Sequence, residues 1–295
     1  MNSESVPRSP QILLLFCVIV WGWTFVATKV SLQYMSPLEL VGLRFLIGVP
    51  ILSVVIRLKR IPFAFSAREY GALMLGALII TTHFVLQAVA LNYTSATKTG
   101  WIIAVSPLAM AVLSVLLLKE KIGRKETMGI ALASAGIVVL VSNGALTSLG
   151  WLKSVGDWLV LVSAHTWALY TIVTRNVSRS RNPLTVTVVV FAPLVLASLG
   201  YLLVSGRASA LVSLPAAAIG GLLFLAVPGT LAQWFWQIGT AKIGAARAGI
   251  FLYLEPIATA ALAVPLLGEQ FTLFTAAGGA LVIAGVWWAQ RRSGV

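Results

Sequence analysis

One carboxylate lies deep inside an apolar run of this chain. It is Glu255, eight residues beyond Arg247 and directly before Pro256. At 1.5 Å of rise per residue, that offset is about 12 Å along a helix. A carboxylate among apolar side chains is expensive, so it must be paired, protonated or solvated in a cavity. It suits a cationic ligand group or a proton relay, and equally a bond to a neighbouring helix. His83 and His165 lie in two other apolar runs. A buried imidazole binds ligand, relays protons or bonds another helix. Trp21, Trp167 and Tyr253 sit near run centres, with Tyr170, Trp234 and Trp236 in the same or neighbouring runs and Trp101 near a run end. Such rings stack on aromatic or cationic ligands, or simply pack between helices. Trp287 and Trp288 fit an interfacial belt instead. Gln87, Asn92, Gln233 and Gln237 add amides suited to a zwitterion or to helix–helix bonds.

This set supports recognition without covalent chemistry. Glu255 is the lone deep acid, and no HExxH, G-x-S-x-G or GxxxxGK[ST] run occurs. An intramembrane enzyme or an ATP-driven pump therefore lacks its groups. With two histidines and one cysteine, Cys17, neither a metal site nor a cofactor is expected. Cys17 reads as a packing residue.

The composition says what holds these residues. The 295-residue chain is 59% hydrophobic and 10% charged, against about 25% charged in soluble domains. The surrounding solvent must be lipid. Apolar runs at 11–32, 37–57, 69–91, 96–118, 126–141, 157–175, 183–204, 215–238, 245–267 and 273–290 are mostly near the roughly 20 residues a spanning helix needs. They lack the strict alternation of barrel strands. The first run is read as a span rather than a signal peptide, because its lead carries only Arg8 and nine runs follow. The expected fold is an all-α integral membrane bundle of ten transmembrane helices.

The net charge of +13 is accounted for by cytoplasmic loops rather than by nucleic-acid binding. With the N-terminus inside, 16 of the 21 Lys and Arg residues fall on cytoplasmic segments, Arg8, Arg291 and Arg292 among them. Four (Lys29, Lys98, Lys153 and Arg207) fall outside, and Arg44 lies within the second run. This bias sets both termini in the cytoplasm. No role is assigned to Arg44 beyond a pairing with Glu39 or a carbonyl.

The chain also repeats itself. Residues 96–136 and 245–285 share 15 of 41 identities without a gap, including Gly100/Gly249, Pro107/Pro256, Glu120/Glu269, Gly129/Gly278 and Gly136/Gly285. Lys98 stands over Arg247. Upstream, Trp21-Gly22 aligns with Trp167-Ala168 and Thr28-Lys29 with Thr174-Arg175. Two units follow, 11–141 and 157–290, with a turn-rich linker at 142–156. Each has five helices, an odd number, so the second must insert upside down. Inverted repeats of this kind place a site near the midplane between the halves. Gly100, Pro107, Gly249 and Pro256 are hinge candidates, since a mid-helix proline frees a carbonyl and kinks the chain. Lys98 and Arg247 open two helices, where a cation opposes the dipole. They either snorkel to the interface or act as gate charges. Small residues at Gly129/Ala133, Ala131/Ala135 and Ala276/Ala280/Ala284 assign helices 5 and 10 to scaffold packing or self-association.

The early Trp-Gly and the Gly…Pro…Glu pattern of both units resemble the EamA domains of the drug/metabolite transporter superfamily. Within it, the chain is similar to the YddG-type bacterial amino-acid exporters. The resemblance implies an inner-membrane exporter of amino acids, aromatic ones and aromatic cations included, through a cavity lined by helices 1, 3, 4, 6, 8 and 9. Protons are a candidate coupling partner, through Glu255 or His165, although downhill export needs neither. A monomer or weak dimer is expected. A nucleotide-sugar or phosphorylated-metabolite carrier of the same superfamily is the alternative, and it would want several deep cations.

Overall fold

The computed structural model describes residues 10–142, 152–205, 214–270 and 272–290. Arg8, Arg207, Arg291, Arg292 and linker residues 143–151 lie outside the described residues. The rest is helical: α1 (Pro10–Ser31), α2 (Pro37–Leu58), α3 (Ala67–Ala90), α4 (Ala96–Ile103), α5 (Ser106–Leu118), α6 (Arg124–Ser142) and α7 (Val155–Ser180). Then come α8 (Pro183–Ser205), α9 (Ala216–Ala226), α10 (Pro228–Ile243), α11 (Ala245–Gly249), a 3-10 segment (Ile250–Leu254), α12 (Glu255–Leu267) and α13 (Leu273–Gln290).

Eight of these stretches are long and apolar enough to cross a membrane, counting α4–α5, α9–α10 and α11–α12 as one each. α6 and α7 fall short by that measure. α6 opens with Arg124, Lys125 and Glu126, and α7 carries Asp157, Arg175 and Arg179. Large apolar side chains face outward, Leu58 at 77% and Val204 at 90% exposure. In water such a surface would aggregate, but in lipid it costs nothing.

Helix starts follow the local sequence. Ser36/Glu39, Ser66/Glu69 and Ser154/Asp157 form capping boxes on α2, α3 and α7. Each serine accepts from the backbone three residues on, and each acid accepts in return, which satisfies two otherwise orphaned donors.

Three stretches are broken rather than kinked. Pro107 stands in the first turn of α5, Pro256 in the first turn of α12 and Pro228 at the start of α10. A first-turn proline lacks only a donor that has no helical partner anyway. The breaks therefore precede the prolines, at residues 104–105, at Ile250–Leu254 and at Val227. The apolar pattern gives no sign of the break at Val227, and that stretch runs to Ile243 rather than 238. The expected short run at 126–141 is a 19-residue helix.

The two copies of the repeated stretch lie side by side. α4 packs on α12 and α5 on α11, so the stretches run antiparallel. α6 and α13 form a glycine seam. A Cβ on Gly129 would meet the Gly285 carbonyl oxygen at 2.6 Å, and one on Gly136 the Gly278 carbonyl oxygen at 2.7 Å. The scaffold role of these helices takes a different face from one expected. Ala131, Ala135, Ala276, Ala280 and Ala284 point outward, while Gly129, Ala133, Gly136, Gly278 and Gly285 fill the seam. Glycine permits the closer backbone approach, so it takes the contact.

Candidate functional site

The broken stretches converge on a small central cavity. Its walls come from α1 (Trp21, Thr24, Phe25), α2 (Arg44), α3 (His83, Phe84, Gln87), α4 and α5 (Ile103, Ser106), α7 (Trp167), α10 (Gln233) and α12 (Glu255). The open space is about 20 Å³, room for one water. A metabolite enters only if the surrounding helices separate.

Indole rings form one wall. Trp21 meets Trp167 edge-on at 4.8 Å and Trp236 at 5.2 Å, and Trp167 lies 5.6 Å from Trp236. His83 stands 5.2 Å from Trp167, with its Nδ1 2.8 Å from the Ser163 carbonyl oxygen. Trp236 backs the cluster, with Nε1 donating to Thr171 Oγ1 at 3.2 Å. Ser106 donates to the Ala164 carbonyl.

The polar atoms facing this space are short of partners. Trp21 Nε1, Trp167 Nε1, Arg44 Nε and Gln233 Oε1 are buried without a hydrogen-bond partner among the described residues. Buried polar groups are overwhelmingly paired, so four orphans around one cavity single it out as the candidate site.

Of the expected cavity residues, Trp21, His83, Gln87, Trp167, Gln233 and Glu255 line the space. The others do not. His165 is exposed on the outer face of α7, its Nδ1 2.8 Å from the Leu161 carbonyl oxygen of its own helix. It is two residues, about 200° of helix, from Trp167, and only one of the two can face inward. Trp101 packs against the cluster around α6 and α13. Tyr253 joins that cluster and bonds Ser134 Oγ at 2.7 Å. Tyr170 is buried beneath Trp167, its hydroxyl taken by Gln237 Nε2 at 2.6 Å. Trp236 lies one layer behind the wall.

Arg44 is the residue that sequence reasoning left without a role. Its signal was visible, as the one cation in the interior of a run. Phe84 and Thr24 also line the space, with no pattern to single them out, and so does Ser106, the position that the repeat aligns with Glu255.

Both ends of the bundle are closed by polar contacts, and these follow the repeat. At one end, Glu269 accepts from the Ala96 and Thr97 amides at 3.1 and 3.0 Å, capping α4. Lys98 pairs with the fully buried Asp157 at 2.5 Å, and Asp157 also accepts from Thr94 Oγ1. Lys29 donates to the Leu91 and Thr94 carbonyls. At the other end, Glu120 accepts from the Ala245 and Ala246 amides, both at 3.2 Å, capping α11. Arg175 pairs with Glu120 at 2.7 Å and Arg247 with Glu126 at 3.0 Å. Each repeat's glutamate thus sits on the N-terminus of the other repeat's broken stretch. A carboxylate there has the sign the dipole favours, which offsets Lys98 and Arg247. Gly100 permits the crossing of α4 and α12, since a Cβ would lie 2.8 Å from Thr259 Oγ1. A Cβ on Gly249 would meet Met110 at 3.3 Å.

A multi-pass helical bundle closed around a small buried polar site has the form of a membrane transporter. The chain belongs to the EamA-like transporter family, whose pattern it matches at residues 8–142 and again at 154–290. A probable amino-acid metabolite efflux pump of Salmonella typhimurium is 30% identical over 95% of this chain and 94% of its own length. Its counterpart in Escherichia coli is 28% identical over 95% and 94%. An uncharacterized transporter of Archaeoglobus fulgidus is 29% identical over 97% of both chains. A solved crystal structure superposes with a TM-score of 0.74 over 96% of this chain and 99% of that one, at 18% identity, a likeness of fold alone.

Proposed function

We propose that this chain exports small amphiphilic metabolites, amino acids including aromatic ones, by alternating access of the central cavity. Two inverted five-helix units, 11–141 and 157–290 joined by 142–156, would rock against each other in a bacterial inner membrane, both termini cytoplasmic. Ten spans are then required, with α6 and α7 crossing as well. The observation that carries this reading is the set of four unpartnered polar atoms around one aromatic cavity. The antiparallel pairing of α4 with α12 and α5 with α11 supports the inversion, and the similarity to named amino-acid efflux pumps supports the substrate class. Lys98 and Arg247, held at opposite ends by Asp157 and Glu126, act in this reading as gate charges. Gly100, Pro107, Gly249 and Pro256 lie beside the breaks where the stretches bend. A carrier of phosphorylated metabolites fits less well, because Arg44 is the sole cation among the residues lining the cavity.

Counterflow of labelled amino acids in proteoliposomes, with and without a pH gradient, tests this. Accumulation of aromatic amino acids is expected, and no counterflow of any amino acid would sink the proposal. Glu255→Gln is the variant for proton coupling. A pH response identical to the wild type removes Glu255 from that role, and His165 is no longer a candidate from its outward position.

A further inference from the structure

The geometry points to a dipolar receptor in the cavity. We propose that Arg44 takes the carboxylate of a zwitterionic guest and Glu255 takes its ammonium. This rests on the exporter reading above and names the feature by which it would select.

Arg44 is 4% exposed. Its guanidinium carbon lies 4.8 Å from the Phe45 ring centroid and 4.7 Å from that of Phe84. The faces of two aromatic rings hold the cation in place without neutralising it. Among the described residues no carboxylate pairs with it, and Nε has no acceptor. A Cβ on Gly229 would lie 3.1 Å from Nη2, so glycine leaves room for the guanidinium at the first turn of α10. There the cation meets the positive end of a helix dipole. An anion placed between them would satisfy both.

Glu255 is 5% exposed, in the first turn of α12. Its side chain has no hydrogen-bond or ion-pair partner among the described residues, while its backbone carbonyl accepts from Thr259. It is held from behind by α1, where a Cβ on Gly22 would lie 2.8 Å from the Glu255 carbonyl oxygen.

Both side chains line the one cavity, yet no ion pair joins them. A buried guanidinium and a buried carboxyl that each lack a partner are both costly to leave so. A guest carrying both complementary charges as substituents of one carbon removes that cost at both ends. The orphaned donors of Trp21 and Trp167 and the acceptor of Gln233 leave an aromatic wall for the rest of the molecule. The class is therefore a free α-amino acid. An amine lacks the carboxylate and a carboxylic acid lacks the ammonium, and each leaves one buried charge unmet.

The test is competition against counterflow of labelled L-phenylalanine by the wild-type protein. Phenethylamine and 3-phenylpropionate, each lacking one charge, should compete at least ~10-fold more weakly than unlabelled phenylalanine, the discrimination expected of a hydrogen bond to a charged group. Arg44→Gln should lower phenylalanine transport ~10-fold or more while sparing competition by phenethylamine. Glu255→Gln should lower it similarly while sparing 3-phenylpropionate. Equal competition by all three compounds in the wild type overturns the receptor and leaves the exporter reading standing. Wild-type selectivity that both variants retain overturns the assignment to these two residues. Absence of counterflow for every amino acid overturns the exporter reading and this inference together.

Discussion

Removing the charge of Glu120 should open one end of the bundle. Its carboxylate receives the Ala245 and Ala246 amides and Arg175. The Glu120 and Arg175 side chains are 15% and 11% exposed, so solvent screens the pair little. A hydrogen bond to a charged group contributes about 1.5–3 kcal/mol. Glu120→Gln keeps the shape and one acceptor but loses the charge, so about 3 kcal/mol of closure is at stake, taking the upper end because three donors are weakened. At about 1.4 kcal/mol per tenfold, the open population at that end rises roughly 100-fold. Ser106→Cys in a Cys17→Ala background reports this, because Ser106 is fully buried on the cavity wall. A membrane-impermeant maleimide should label the introduced thiol roughly 100-fold faster from the side of Glu120. Glu269→Gln should accelerate labelling from the opposite side only. Rates unchanged by either substitution, or raised from both sides by one, would refute the assignment of the two glutamates to opposite closures.

Other perturbations separate lining from packing. Gly22→Ala places a methyl 2.8 Å from the Glu255 carbonyl oxygen and 2.8 Å from Ala258 Cβ. It should lower thermal stability by about 1–3 kcal/mol through overpacking, measured as a fall in Tm. Gly136→Leu, against the Gly278 carbonyl, should cost at least as much, whereas Ala280→Leu on the outer face should leave Tm nearly unchanged. His165→Ala should leave counterflow within about twofold, since an outward side chain touches no guest. His83→Ala, which removes a cavity wall and the Ser163 bond, should reduce it severalfold; equal effects of the two would contradict the placement.

The elements were legible because their causes are local. Capping serines precede glutamate or aspartate at the right spacing, whereas Pro107 and Pro256 read as kinks and only the structure shows that helices restart there. The matched Glu120 and Glu269 were visible as a repeat, although their reciprocal capping was not, since the contacts span 125 and 173 positions. The candidate site was half legible. Polar and aromatic residues near run centres could be listed, and six of eleven line the cavity. His165, Trp101, Tyr170, Trp236 and Tyr253 met the same criteria and face elsewhere.

By itself the sequence determined that lipid surrounds this chain, that it is helical and that it is duplicated, and its prolines marked a kink in two of the three stretches that prove to be broken. Those properties depend on composition and on neighbours within a turn. Only the tertiary structure decided which face of each helix looks inward. In water an amphipathic stripe reveals that face, but a membrane helix is apolar all round, so Trp167 and His165 carry no mark of their opposite directions. Arg44 shows the same limit. Its charge stood out in the sequence, but only the arrival of Phe84, Gly229 and the start of α10 around it gave that charge a place to act.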